Sequence, residues 1–367
     1  MARGRRRPGT VAAVDEAAPA IEPAPGPEDP AAAGGPSAGE TTSGETAPGS
    51  RLNPAQAEVL QALGARPHER PSFDPRLRHE LRAELEERLR PVAADLPDGE
   101  HLWVSKHLLS SVHGCEGLFL AREAEAFAWT PASARGVVAH KAIELSISWR
   151  GDPAPGLLVD EAIARLEQGN DSLGPYLAAL GEGERAELHG EATGRVAMFL
   201  ECFPPLEARW RPVPESRLRA DLCDDRVVLS GKVDLTVGRP DGVRAGKVLI
   251  DLKTGGFSPD HAHDLRFYAL VETLRLGTPP RLLATYYLDG GRLLDEKVTE
   301  PLLRAALERT VAGVERAAEL RHHGVAPTLK PGAPCRWCPA RTTCGPGVAW
   351  LTRADEDDGW LGDPDDV

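Results

Sequence analysis

Several features that define other protein classes are scarce or missing in this chain of 367 residues. No run of 18 or more apolar residues occurs, which argues against a transmembrane helix. The basic start MARGRRRPGT has no apolar stretch behind it, so a secretory signal is not indicated and a cytoplasmic protein is expected. Six cysteines are too few for a disulfide scaffold. The pattern GxxxxGK[ST] is also missing, so any ATP-driven motor would have to be a partner protein.

The negative charge is concentrated at the two ends of the chain. The net charge is −13, of which residues 1–50 carry −3 and residues 353–367 carry −6. The −4 that remains does not indicate nucleic-acid binding, although it permits a local basic groove. Residues 1–50 have almost no large apolar side chains, and residues 351–367 are strongly acidic. Both segments are therefore predicted to be disordered tails.

Periodicity divides the rest of the chain into a helical part and a mixed part. Apolar residues recur about every 3.6 positions in five predicted helices, at 54–63, 74–93, 136–149, 158–168 and 182–201. The later part contains predicted strands at 217–222, 227–237, 247–253, 281–288 and 292–298, and predicted helices at 260–276 and 300–323. Turn residues at 238–246 indicate a hairpin. This order predicts an α/β (α+β) fold with a small mixed β-sheet flanked by helices.

Two neighbouring predicted strands carry charged side chains. Asp234 lies in KVDLTV, while Asp251 and Lys253 share one face of LIDLK. If the strands pair across the hairpin, these three residues meet on one side of the sheet. Two carboxylates there would hold a hard cation such as Mg²⁺ or Mn²⁺, and the lysine would orient a water molecule. Aspartate–lysine ion pairs at the strand edges are the structural alternative.

Further motifs lie before and after these two strands along the chain. Gly136-x-x-x-His140 lies on a predicted helix, GKVD and IDLKTG lie on strands, and DLRFY lies on the next helix. In this order, over residues 102–345, the chain resembles the RecB-type nucleases of the PD-(D/E)XK superfamily. The resemblance implies a restriction-endonuclease-like core. It would belong to a nuclease domain at 102–350, preceded by a helical segment at 51–101.

The same resemblance implies roles for individual residues. The metal ligands that it implies are His140, Asp234, Asp251 and the backbone carbonyl of Leu252. Lys253 would be the catalytic lysine, and Tyr268 would lie near the DNA and the site. Glu215 is a weaker candidate for a further acidic group, the alternative being an ordinary exposed glutamate. The chain departs from the family at Asp264, where the family has glutamine, because an ionised carboxylate accepts hydrogen bonds but cannot donate them.

The cysteine pattern indicates a second site. Three cysteines form C-x2-C-x5-C: Cys335, Cys338 and Cys344. The spacing alone is typical of zinc, with His322 or His323 as a fourth ligand. Iron–sulfur members of the nuclease family, such as AddB-like and CRISPR-associated RecB-like exonucleases, have one further cysteine before the nuclease core. Cys115 matches that position, so the resemblance implies a [4Fe–4S] cluster on the four cysteines. Cys202 and Cys223 lack cluster spacing and are predicted to be ordinary buried thiols.

Together these patterns predict a metal-dependent deoxyribonuclease, specifically an exonuclease on single-stranded DNA or DNA ends in repair or recombination. DNA is the expected partner, a helicase could act in trans, and no membrane is involved. A non-catalytic DNA-binding scaffold for a helicase is one alternative. A zinc-stabilised regulatory protein is another. The combination of His140, Asp234, Asp251 and Lys253 argues against the scaffold.

Overall fold

A computed structural model describes residues 52–169 and 171–359. The helices are α1 (Pro54–Leu63), α2 (Leu77–Asp95), α3 (Lys106–His113), α4 (Glu116–Glu123), α5 (Pro131–Ile147), α6 (Pro155–Glu167), α7 (Leu173–Ala179), α8 (Glu182–Cys202), α9 (His261–Leu276), α10 (Glu300–His322) and α11 (Gly345–Gly359). The strands are β1 (Leu102–Val104), β2 (Val213–Leu222), β3 (Val227–Val237), β4 (Val248–Lys253), β5 (Leu282–Tyr287) and β6 (Arg292–Lys297). The predicted N-terminal tail, residues 1–50, lies outside the described residues.

The named strands form one mixed sheet around the long strand β3. β2 pairs antiparallel along one edge of β3. The other edge is divided, since β1 pairs parallel with residues 227–229 and β4 pairs antiparallel with residues 235–237. β5 runs parallel to β4, and β6 is antiparallel to β5. This mixed sheet with helices on both faces confirms the predicted α/β class.

Each face of the sheet has its own hydrophobic core. Helices α2, α3, α9 and α10 contribute to the first core, and α5, α6, α7 and α8 contribute to the second. Leu249 of β4 enters the first core, whereas Ile250 and Leu252 enter the second. This alternation follows from the two-residue period of a strand. It places Asp251 on the same face as Leu249, toward α9, where its side chain is 1% exposed.

Several short elements escape sequence-based prediction. β1, α3 and α4 have only three to eight residues each, too few turns or alternations for a periodic signal. α11 differs from the prediction, because it continues to Gly359 through part of the segment at 351–367 expected to be a disordered tail. The helix starts in the cysteine segment, where the backbone N–H of Val348 donates to the carbonyl of Cys344. Once a first turn exists, each further residue adds a backbone hydrogen bond. Residues 360–367 lie outside the described part.

Within the described residues, no helix combines the length and the apolar character needed to cross a membrane.

Gly231 of β3 gives the first testable prediction. A Cβ at this position would lie 2.2 Å from Cε1 of Tyr268, whose ring is 3% exposed and packed by α9. Gly231→Ala is therefore expected to lower the free energy of unfolding by about 1–3 kcal/mol through overpacking. Urea denaturation measures this change.

Gly190→Ala is the matched control, because a Cβ at Gly190 in α8 meets no atom within 4 Å. This change should stabilise the protein by about 0.5–1 kcal/mol, since alanine favours the helix. Equal unfolding free energies for the two variants would contradict the packing role of Gly231.

Candidate active site

Asp234 lies at the fork where β4 diverges from β3. The pairing of these strands ends at Leu235 opposite Ile250. At the next position, Oδ2 of Asp234 accepts a hydrogen bond of 2.7 Å from the backbone N–H of Leu252. The carboxylate thus satisfies a strand N–H whose backbone partner is lost at the fork. Because a buried N–H needs an acceptor, this contact fixes the orientation of the Asp234 side chain.

Glu215 faces Asp234 from the other edge of β3. The β2–β3 register pairs Pro214 with Leu235 and Ser216 with Val233, which leaves Glu215 opposite Asp234. Glu215 has a left-handed φ of 50°, so the backbone leaves the regular ladder at this residue. Its carboxylate forms an ion pair with Lys232 and is 22% exposed. An ordinary solvated glutamate would not need this strained conformation.

His140 approaches the same point from α5. This helix begins at Pro131, and the side chain of Thr130 caps it by accepting a hydrogen bond from the N–H of Ser133. Nδ1 of His140 lies 3.3 Å from Oδ1 of Asp234. One turn earlier, a Cβ on Gly136 would lie 3.2 Å from Oγ1 of Thr254. The glycine of GxxxH therefore lets α5 approach the end of β4 closely.

One side-chain ligand atom from each of His140, Glu215 and Asp234 lies within 4.8 Å of the others. One imidazole and two carboxylates form a donor set that suits Mn²⁺ or Mg²⁺. Burial opposes ionisation of Asp234, but His140 outweighs burial and keeps the pKa of Asp234 below its usual value. Burial lowers the pKa of His140, but Asp234 outweighs it and holds the pKa above its usual value. Each of the two residues therefore favours the charged form of the other.

Asp251 lies between two lysines on the α9 face. Nζ of Lys106 lies 2.9 Å from Oδ1 of Asp251, and Nζ of Lys253 lies 2.7 Å from Oδ2. Both lysines also approach Oδ2 of Asp264, at 3.4 Å and 3.1 Å. Two ammonium groups and two carboxylates therefore balance each other. A carboxylate with 1% exposure would be strongly destabilising without such cations.

The contact between Lys253 and Asp251 is an ion pair without the geometry of a hydrogen bond. Oδ2 of Asp251 is buried and accepts no hydrogen bond from the described residues. Native proteins rarely leave such an oxygen without a partner. Asp251 does not belong to the group of close ligand atoms formed by His140, Glu215 and Asp234, and its Oδ2 faces the ammonium group of Lys253.

Tyr268 lies under this group of charges, one helical turn after Asp264 in α9. Nζ of Lys106 lies 5.1 Å from the centroid of the Tyr268 ring, a cation–π contact. The Tyr268 hydroxyl hydrogen-bonds with the backbone of Lys232. Burial raises the pKa of Tyr268 to about 12, so the phenol is neutral near pH 7. The Tyr268 side chain is buried, with 3% exposed, and its ring packs between Lys106 and β3.

Lys106 is the site residue that the sequence motifs do not indicate. It is the first residue of α3, and the side chain of Ser105 caps this helix by accepting a hydrogen bond from the N–H of Leu108. The short strand β1, paired with β3, brings the start of α3 to the fork. The signal in the sequence is a three-residue strand followed by serine and lysine, which is too short to stand out.

The four cysteines of the predicted cluster line one cavity of about 190 Å³ between α4 and the C-terminal segment. All four are free thiols. The backbone N–H of Lys330 donates to Sγ of Cys115, and that of Gly332 donates to Sγ of Cys335, both at 3.4 Å. Such N–H donors stabilise thiolates that ligate a metal centre. The structure thus brings Cys115 together with cysteines that are more than two hundred residues away.

A zinc site would need closely spaced ligand atoms. Zinc–sulfur bonds of about 2.3 Å in a tetrahedron require sulfurs about 3.8 Å apart. Among the described residues, no three of the cysteines and histidines proposed for zinc bring their ligand atoms within 4.8 Å of one another. Nε2 of His323 instead lies 2.8 Å from Oδ2 of Asp95. The ligand atoms considered for zinc are therefore not gathered into a tetrahedral set among the described residues.

Glu116, next to Cys115, anchors the C-terminal segment independently of any metal. The guanidinium of Arg316 donates to both carboxylate oxygens of Glu116, at 2.8 and 2.7 Å. The backbone N–H of Thr328 donates to Oε2 of Glu116 at 2.6 Å. The hydrogen bonds from Arg316 lower the pKa of Glu116 to about 2, against the opposing effect of burial. Sequence patterns do not show this anchor, because its partners lie in three separate segments.

Comparison with known proteins identifies the class. A family model described as the PD-(D/E)XK nuclease superfamily matches residues 104–345, which include the fork between β3 and β4, the candidate site and all four clustered cysteines. The chain belongs to this superfamily. It is therefore a nuclease-family protein, and hydrolysis of phosphodiester bonds is the activity of its class. No curated protein matches the chain by sequence.

Solved structures resemble the chain only distantly. A Eubacterium rectale protein named as a proposed exonuclease is 11% identical, with a TM-score of 0.39, over 68% of this chain and 88% of its own. A protein named SSO0001 is 11% identical, with a TM-score of 0.28, over 73% and 95% of the two chains. Rai1 of Scheffersomyces stipitis is 9% identical, with a TM-score of 0.23, over 78% and 81%. Similarities at this level carry no argument about function.

Lys106→Met tests the charge balance around Asp251. The substitution removes a cation shared by Asp251 and Asp264, so the two carboxylates lose attraction and repel each other. We expect a loss of about 1–3 kcal/mol in the free energy of unfolding at pH 7, measured by urea denaturation.

Lys141→Met is the matched control. Lys141 is 27% exposed, against 28% for Lys106, but its partner is Glu144 on the same helix surface. Loss of such a surface pair should change stability by less than about 0.5 kcal/mol. If both variants lose the same amount, Lys106 does not stabilise the buried carboxylates.

Proposed function

We propose that this protein is a metal-dependent DNA nuclease, specifically a single-strand exonuclease that acts in DNA repair or recombination in the cytoplasm. One observation carries the proposal. The ligand group of His140, Glu215 and Asp234 lies at the fork of the sheet, and Asp251 and Lys253 follow on the adjoining strand. This arrangement combines a place for a divalent cation with a lysine beside it.

The residues that would hold Mg²⁺ or Mn²⁺ are His140, Asp234, Asp251 and the backbone carbonyl of Leu252, with Glu215 as a further ligand. A bound cation would neutralise charge on the scissile phosphate and lower the pKa of a nearby water molecule. The close donor atoms of His140, Glu215 and Asp234 support this ligand set, and so does the buried Oδ2 of Asp251, which accepts no hydrogen bond from the described residues.

Lys253 would position the attacking water and offset the negative charge that develops on the phosphate. Its ammonium group is held in place by Asp251 and Asp264, at 2.7 Å and 3.1 Å. Asp264 replaces the glutamine of the family at this point. As an acceptor it can orient the ammonium group of Lys253, and Lys106 compensates its extra negative charge. The departure from the family is therefore compatible with catalysis.

We also propose that Cys115, Cys335, Cys338 and Cys344 hold a [4Fe–4S] cluster. Their shared cavity and the N–H donors to two of the sulfurs support it. The cluster would fasten the start of α4 to the segment before α11, next to the contact between Glu116 and Thr328. A structural role follows, because the clip closes a loop of more than two hundred residues.

Cleavage of end-labelled single-stranded DNA tests the nuclease proposal. Linear and circular strands are incubated with Mn²⁺ or Mg²⁺ and protein that retains its cluster. Degradation of the linear strand alone, which stops on chelation, is the expected result. Lys253→Met should slow it by at least about 10²-fold through lost transition-state stabilisation, while DNA affinity changes little.

Two further results complete this test. Asp251→Asn should abolish both cleavage and the increase in Tm that Mn²⁺ produces in the parent protein. Arg165→Met, which removes an exposed charge on α6, should cleave like the parent. Cutting of circles would indicate an endonuclease. Binding of DNA without any cleavage would favour a scaffold subunit that partners a helicase.

The metal content of anaerobically purified protein tests the cluster. We expect absorbance near 400 nm and about four iron and four sulfide per chain, as a [4Fe–4S] centre requires. Cys338→Ser should lose most of this iron, whereas Cys223→Ser should retain it, because Cys223 lies outside the cysteine cavity. One zinc per chain without iron would contradict the proposal.

A further inference from the structure

A cleft opens beside the candidate active site, between α3, α9 and α10. Its volume is about 450 Å³, and Lys106 and Asp264 of the active site form one end. The close approach of α3 to α10 depends on Gly313, where a Cβ would lie 2.6 Å from Cδ2 of Leu109. The cleft is therefore a built feature of the helix packing, and it is continuous with the proposed catalytic centre.

Arg309 of α10 lines this cleft without a direct ion pair to a described residue. Among the described residues, its guanidinium forms neither an ion pair nor a side-chain hydrogen bond, although the side chain is partly buried. His263 of α9 lines the same cleft, and its imidazole has no hydrogen-bond partner in the described part of the chain either. Partly buried cations are usually paired, so a free guanidinium here indicates an anionic ligand.

The other charged groups of the cleft are already engaged. Asp264 is bound by Lys106 and Lys253. Glu308 pairs with Arg88 at 2.6 Å, and Arg266 pairs with Glu296 at 2.7 Å. The carboxylates of the cleft are thus neutralised by other cations. Arg309 is attracted by Asp260 and Asp264 but forms no direct ion pair with either of them, and burial lowers its pKa below the usual value.

We propose that this cleft binds the backbone of a single DNA strand next to the scissile bond, with Arg309 as the anchor of one phosphate and His263 as a supporting donor. This inference rests on the proposed nuclease function and adds the path of the substrate to it. A planar guanidinium can bind a phosphate through two parallel hydrogen bonds. A cleft of this volume has room for one or two nucleotides.

Contacts to phosphate carry no base identity, so binding in this cleft is independent of sequence. The path also has a direction, because the cleft extends from Lys106 and Asp264 toward α10. The phosphate that Arg309 contacts therefore lies on one defined side of the scissile phosphate.

Binding of a fluorescein-labelled oligo(dT) tests the inference in the full chain with Lys253→Met, which prevents cleavage. Fluorescence anisotropy gives Kd over a range of NaCl concentrations. Arg309→Gln should raise Kd about tenfold, as expected for one lost charged hydrogen-bonded contact. It should also reduce the slope of log Kd against log[NaCl] by about 0.7, the value for one phosphate on a single strand.

Three controls sharpen the result. Arg309→Lys should restore the salt slope while recovering only part of the affinity, because a lysine keeps the charge but not the planar fork. Arg165→Gln removes an equal charge far from the cleft and should leave Kd and slope unchanged. Each phosphate of the oligonucleotide is replaced in turn by an uncharged methylphosphonate. Replacement of the phosphate that Arg309 contacts should raise the Kd of the parent protein. The same replacement should leave the Kd of Arg309→Gln unchanged.

If Arg309→Gln does not fold, Ala305→Glu can be used to test whether the cleft binds DNA. Ala305 is exposed and lines the cleft, so a carboxylate there should weaken DNA binding. Ala186→Glu, on the exposed side of α8, is the control and should leave DNA binding unchanged. Equal Kd values for Arg309→Gln and Arg165→Gln would contradict the proposal that the cleft binds DNA, and they would leave the nuclease proposal intact. Failure of the protein to bind any single strand would overturn both.

Discussion

Asp251 has 1% of its side chain exposed, and the surrounding structure is arranged to accommodate its charge. Two lysines from separate elements contact its two oxygens, and Asp264 balances the surplus positive charge. A carboxylate in this position would otherwise take up a proton or destabilise the fold. The placement of α3, α9 and β4 is therefore constrained by one charge, and the same constraint holds the proposed catalytic lysine beside the proposed metal site.

The fork between β3 and β4 is the second condition for the site. A continuous ladder would bury Asp234 between paired strands and leave no room for a cation. Because the strands separate, Asp234 accepts the N–H of Leu252 with one oxygen and approaches His140 with the other. The backbone strain at Glu215 brings a further carboxylate to the same place from β2. Strained backbone of this kind is often found at functional sites.

The C-terminal segment is attached in two ways that reinforce each other. The hydrogen bonds of Glu116 with Arg316 and Thr328 bring this segment to the start of α4. They also place Cys115 in one cavity with the three C-terminal cysteines. A proposed cluster would then bind to a site that is already largely formed, which lowers the entropy cost of gathering ligands from distant parts of the chain.

The class of fold, the long helices and strands, and the order of the motifs can be predicted from the amino-acid sequence. Repeated apolar spacing needs only neighbouring residues, and it correctly predicted β3 over 227–237 and α1 over 54–63. Alternation along β4 likewise placed Asp251 and Lys253 on one face. The tertiary structure alone decided that Lys106 enters the site, that Glu215 joins His140 and Asp234, and that Arg309 lines the adjoining cleft. These positions depend on packing between segments far apart in the chain, and no local periodicity contains that information.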